Sequence, residues 1–171
     1  ENARKAYRRA TELAPDLALA RYNLGWHYHK EWRYDEAVEE YRAAQRFGLD
    51  DVTLRRNLAA SVQNQWKGAE AVPIYRSALE LAPDHATTWH DLGTALFSID
   101  REECKRCYRR ALELAPDDVK IHYELAFVLR HNGEIDEAIE EYRRVLELDA
   151  THAQAHEELA RLLLARGEAQ E

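Results

Sequence analysis

The sequence is poor in the residues that break or staple a chain. It holds four prolines, six glycines, two cysteines and no methionine in 171 residues. So little proline and glycine, against abundant Ala, Leu, Glu and Arg, favours helix over sheet. Two cysteines are too few for a disulfide framework. No apolar run approaches the ~18 residues of a membrane span, and no secretory apolar segment is visible, so membrane insertion is not expected. Low-complexity runs are missing as well. With 46% hydrophobic and 33% charged residues, that excludes collagen-like and disordered chains and leaves enough apolar side chains for a core. Gly-rich phosphate loops, nucleophile elbows and the His-Glu-x-x-His zinc pattern are absent, so neither catalysis nor a cofactor is expected. The net charge of −8, with acids interleaved among the bases, speaks against nucleic acid. The chain starts at Glu1 rather than methionine, which leads us to expect an excised piece of a longer protein or a processed form.

What the chain has is repetition. Tyr-Arg-x-Ala-Leu-Glu-Leu-Ala-Pro-Asp runs from Tyr75 to Asp84 and again from Tyr108 to Asp117, with close variants at Tyr7–Asp16 and Tyr142–Ala150. The tyrosines Tyr7, Tyr41, Tyr75, Tyr108 and Tyr142 are spaced by 34, 34, 33 and 34 residues. Ala3, Ala37, Ala71 and Ala138 stand four residues before four of them, and Cys104 before the other. A second echo lies upstream of each: Leu24-Gly25, Leu58-Ala59, Leu92-Gly93, Leu125-Ala126 and Leu159-Ala160, each preceded by Arg, Trp or His and followed three residues on by an apolar side chain. This pattern resembles the tetratricopeptide repeat family, whose unit is a 34-residue helix–turn–helix. The resemblance extends over the whole chain. It implies an all-α, right-handed superhelical solenoid, with first helices lining a concave groove.

In that frame residues 1–17 are a lone second helix and 153–171 a lone first helix. Between them lie full repeats at 18–51, 52–85, 86–118 and 119–152, all within one solenoid domain 1–171. Small residues and a tyrosine share one face of each second helix, so the ring should fill the space that Gly or Ala leaves on the first. Leu-Ala-Pro-Asp should end a helix, because proline disfavours helix in the residue before it. The third repeat is one residue short near Ser98-Ile99-Asp100, which predicts a tighter turn. Pro73 predicts a late start or a kink in the second helix of its repeat.

The family commonly turns places 2, 5, 9, 12 and 13 of each repeat toward a ligand. The resemblance thereby nominates Tyr22, Trp26, His29, Lys30, Arg56, Gln63, Asn64, His90, Phe97, Tyr123, Phe127, Arg130 and His131 as a peptide-binding groove. Among the residues at these places the cations Lys30, Arg56, Lys120, Arg130 and Arg161 face only one acid, Glu157, although Asp91, Glu124 and Glu158 at place 6 offset them. A partner peptide of aromatic or acidic character is expected. The carboxylate clamp of some family members is not matched, since Tyr22, Trp26, Thr87 and Asp91 stand where its Lys, Asn and Arg would be.

Trp32 and Trp66 fall 34 residues apart at the turns between helices, where Gly133 and Gly167 stand in later units. They are either a second contact edge or rings folded back over their own turns, and fold-back is the reading preferred here. Cys104-Lys105-Arg106-Cys107 has redox or metal spacing, but Cys104 sits in a slot for a small buried residue, so no redox or metal role is assigned. His152 and His156 have i, i+4 spacing, but His152 falls in a loop, and no metal is expected. Arg8, Arg42, Arg76, Arg109 and Arg143 follow the tyrosines and read as part of a salt-bridged outer face, with Glu140 to Arg144 as one i, i+4 pair.

The expected function is a non-catalytic protein-interaction scaffold holding a partner segment in its groove. Two alternatives stay open: self-assembly into homo-oligomers through the terminal helices or the Trp edge, and a targeting arm of a larger enzyme such as a glycosyltransferase. Unpaired cysteines make the cytoplasm the default compartment.

Overall fold

Helix-forming segments alternate with short breaks, and each becomes a helix: α1 (Asn2–Leu13), α2 (Ala18–Lys30), α3 (Tyr34–Arg46), α4 (Val52–Asn64), α5 (Gly68–Leu81), α6 (Ala86–Leu96), α7 (Arg101–Leu114), α8 (Val119–His131), α9 (Ile135–Leu148) and α10 (Ala153–Arg166). The structure, a computed structural model, describes residues 2–167, and no strand occurs among them. None of these helices is long and apolar enough to cross a membrane. The chain divides into two compact units, Glu1–Asp84 carrying α1 to α5 and His85–Glu171 carrying α6 to α10.

Within each unit, helices that follow one another in sequence pack together. Four repeat tyrosines are among the largest buried side chains: Tyr41 and Tyr75 in the first unit, Tyr108 and Tyr142 in the second. Their rings press on the small residue of the preceding helix. A Cβ added at Gly25 would stand 3.0 Å from the Tyr41 ring, and one at Gly93 only 2.7 Å from the Tyr108 ring. Helix starts are fixed locally. The side chains of Asp51, Asp100 and Asp118 accept from the backbone N–H three residues on, each cap worth about 1 kcal/mol. Helices α5 and α7 stop two residues before Pro83 and Pro116, as the Leu-Ala-Pro pattern predicts.

The short repeat tightens its turn, as its missing residue predicts. The Asp100 N–H donates to the Leu96 carbonyl four residues back, where the corresponding Arg33 and Glu134 reach five residues back to Tyr28 and Leu129. Two local expectations need correction. Helix α5 does not start late: it begins at Gly68, and Pro73 sits at its sixth position, where it removes one backbone donor. Arg144 does not pair with Glu140. It reaches Glu147 at 2.9 Å and Asp117 at 2.8 Å, tying α9 to the loop before α8.

Candidate functional site

In the first unit the groove candidates lie on α2 and α4. Asn57 donates to the Tyr22 hydroxyl at 3.0 Å, and His29 Nδ1 meets the Ser61 hydroxyl at 2.8 Å, so the two helices are locked by side chains from facing positions. Trp26 is 42% exposed, with the Lys30 ammonium 5.5 Å from its ring centre. Gln63 is engaged by Tyr75, whose hydroxyl donates to its Oε1 at 3.0 Å. Arg56 is half-buried beside Asn57, and Asn64 is exposed. The Tyr41 hydroxyl is buried against Tyr22 without a hydrogen-bond partner among the described residues.

In the second unit the candidates lie on α6, just past its end at Phe97, and on α8. His90 is held between two carboxylates, Nδ1 to Asp91 at 3.0 Å and Nε2 to Glu124 at 2.8 Å. Burial alone would lower its pKa, but the hydrogen bonds with Asp91 and Glu124 together outweigh it and push the value up to about 9. His90 is therefore an imidazolium at neutral pH. It borders a small cavity of about 230 Å³, with Thr87, Asp91 and Lys120 among its other walls. Farther along, Phe97, Phe127 and His131 form an aromatic cluster, with ring centres 5.6 Å apart for Phe97–Phe127 and 4.1 Å for Phe127–His131. The Arg130 guanidinium lies 5.1 Å from the Phe127 ring centre, and Tyr123 stacks on His152 at 5.0 Å.

The charge count along these helices changes once partners are visible. Arg130 lies 3.4 Å from Glu158, Arg161 pairs with Glu157 and Glu158 at 2.7 and 3.0 Å, and Lys120 lies 3.7 Å from Glu124. Cations and acids of the second unit thus neutralise one another, and what remains unmatched on its first helices is aromatic.

The turn tryptophans depart from the fold-back expectation. Both adopt positive φ, 63° at Trp32 and 64° at Trp66, a region that costs an L-residue roughly 1–2 kcal/mol. Trp32 is 80% exposed and touches Tyr34 edge-on at 6.2 Å; Trp66 is 98% exposed. In sequence Trp66 is flanked by the polar Asn64, Gln65 and Lys67. Gln65 donates to Asp35 at 2.8 Å, so the two tryptophan turns are adjacent.

Cys104 and Cys107 are both buried thiols. Cys104 is fully buried in the small-residue slot, and burial pushes its thiol up to about 12, far from a reactive thiolate. His152 accepts from the Ala155 N–H as the cap of α10.

This is the geometry of a repeat with small-residue first helices and tyrosine-bearing second helices, recurring in both units. Models described as tetratricopeptide repeat match residues 1–51, 86–118 and 107–140, and one described as TPR repeat matches residues 128–167. The chain belongs to the tetratricopeptide repeat family. No curated protein matches its sequence at a significant level. Among solved structures it is similar to YrrB, described as a TPR protein with an unusual peptide-binding site, with a TM-score of 0.80 at 22% identity over 92% of this chain and 81% of that one. It is also similar to MamA from Desulfovibrio magneticus RS-1, with a TM-score of 0.80 at 17% identity over 99% and 89% of the two chains. The C-terminal part of a TPR repeat-containing protein from Cytophaga hutchinsonii gives a TM-score of 0.85 at 14% identity over 96% and 65%. At these identities the likeness is one of fold: an all-α tetratricopeptide repeat solenoid.

Proposed function

We propose that this tetratricopeptide repeat protein is a non-catalytic scaffold that binds a peptide or protein segment on its first-helix faces. The observation that carries the reading is the aromatic surface these helices leave open: Tyr22 and Trp26 on α2, and Tyr123 and Phe127 on α8, with Phe97 and His131 beside them. Aromatic rings offer large contact area at low entropic cost. The mutual neutralisation of charges in the second unit favours an aromatic or apolar segment over a purely acidic one. YrrB's described peptide binding agrees in kind. The buried free thiols Cys104 and Cys107 suit a reducing compartment such as the cytoplasm.

Selection of peptides from an unbiased display library against the whole chain tests the reading. Selected peptides should carry aromatic or aliphatic anchors and lose at least about tenfold in affinity on Trp26→Ala or Phe127→Ala, with far-UV circular dichroism unchanged. Peptides that bind both variants as tightly as the wild type would refute it. Arg130→Glu is a poor probe, because it would set a second carboxylate against the buried Glu158.

A second reading is favoured by the tryptophan edge: self-association through Trp32 and Trp66. Sedimentation across a concentration series would show dimers that Trp66→Gly disperses; a strict monomer at high concentration rejects it.

A further inference from the structure

In four of the five second helices the arginine after the tyrosine is followed four residues on by glutamate: Arg8 and Glu12, Arg76 and Glu80, Arg109 and Glu113, Arg143 and Glu147. Three of these glutamates hold cations of their own helix, Glu12 with Arg8 and Arg9, Glu113 with Arg110, and Glu147 with Arg144. In α3 alone the glutamate is replaced by Arg46. Arg42 and Arg46 therefore stand one turn apart on one face, a like-charged arrangement that destabilises a helix.

A second acid is missing nearby. The fourth residue of a first helix pairs with a glutamate on the following helix in two other repeats, Arg21 with Glu40 and His122 with Glu141. The corresponding residues in the second repeat are Arg55 and Ile74. Deprived of that glutamate, Arg55 turns to Asp50, with Nε and Nη2 donating to its two carboxylate oxygens at 2.7 and 2.6 Å, while Nη1 donates to the Ser77 carbonyl at 2.8 Å. Its charge is thus matched and its position fixed.

Both replacements meet in one place. Arg42, Arg46, Arg55, Leu58, Ile74 and Ser77 line a surface cavity of about 430 Å³ among α3, α4 and α5. Arg42 and Arg46 are exposed at its rim and meet no carboxylate among the described residues, whereas Leu58 is buried beneath. Two guanidinium groups beside aliphatic side chains match a carboxylate carried on an aliphatic stem.

We propose that this cavity binds an acidic peptide segment. A glutamate or aspartate side chain enters between Arg42 and Arg46, and a neighbouring apolar residue covers Leu58 and Ile74. Arg55 and Leu58 lie on a different face of α4 from Arg56 and Gln63, so the site is separate from the first-helix surface and stands or falls independently of it.

The test titrates the whole chain with an acetylated Leu-Glu-Glu-Leu amide, followed by isothermal calorimetry and by NMR of the arginine side chains, with the Leu-Gln-Gln-Leu peptide as control. The decisive variant is Arg46→Glu, which restores the Arg–Glu spacing of the other second helices and so favours folding. The proposal expects the glutamate peptide to bind at least about tenfold tighter than the glutamine peptide. Affinity should fall at least about tenfold in Arg46→Glu and with rising salt, and hold in Phe127→Ala. No binding, equal binding of the two peptides, full affinity in Arg46→Glu, or loss in Phe127→Ala would each overturn it.

Discussion

Replacing Trp66 by glycine should make this protein more stable, although it deletes the bulkiest kind of side chain. Trp66 sits at φ 64°, where a left-handed backbone costs an L-residue roughly 1–2 kcal/mol. Its ring is 98% exposed, so almost no burial is lost with it. Glycine removes the strain but adds roughly 0.5–1 kcal/mol of unfolded-state entropy. The net expectation is a gain of about 0.5–1 kcal/mol. Trp32 has the same strain at φ 63°, but its ring contacts Tyr34, an aromatic pair worth about 0.5 kcal/mol or more, so Trp32→Gly should gain less. Trp66→Ala keeps a Cβ in the left-handed region and should gain nothing. Urea unfolding monitored by circular dichroism measures all three, provided the slope of each transition is unchanged. If Trp66→Gly is less stable than the wild type, or gains less than Trp32→Gly, the strain argument is wrong.

Gly93→Ala should cost about 1 kcal/mol, the crowding of a Cβ at 2.7 Å from the Tyr108 ring set against better helix propensity, and urea midpoints will show it. Tyr41→Phe should be neutral or stabilising by up to about 1 kcal/mol, because its buried hydroxyl has no partner, whereas Tyr75→Phe should cost about 1 kcal/mol by breaking its bond to Gln63; paired urea titrations separate them. His90 gives stability a pH dependence. Its folded pKa of about 9 lies above the unfolded value of ~6.5, so its contribution is complete below the lower value and is lost as pH rises through the higher. Glu124, held low by the His90 hydrogen bonds against its own burial, has the opposite sign and loses its contribution as pH falls through its folded pKa. Urea midpoints against pH should fall on the alkaline side, and His90→Asn should flatten that fall.

The helical repeat was legible because it rests on local, periodic features: the tyrosine spacing, the small residue opposite each ring and the proline stops. The tighter turn after α6 was legible too, because the missing residue falls between Leu96 and Asp100, whose backbone bond closes that turn. The groove candidates were nominated by place, and their charge was misjudged. A list of places cannot show that Arg130 leans on Glu158 or that His90 is clamped by Asp91 and Glu124. The tryptophans were noticed and their orientation misread, because the left-handed backbone that carries both rings outward is a property of the folded turn. The arginines of α3 look in sequence like one more rung of a charged outer face; their difference shows only when each second helix is compared with its acids in place.

The account's central claim is that partners bind on the first-helix faces. Chemical-shift mapping with a peptide selected from an unbiased library tests it most directly. The account predicts the largest changes at Tyr22 and Trp26 on α2 or at Tyr123 and Phe127 on α8, with α3 and α9 little moved. Changes confined to the second helices, with α2 and α8 silent, would contradict it.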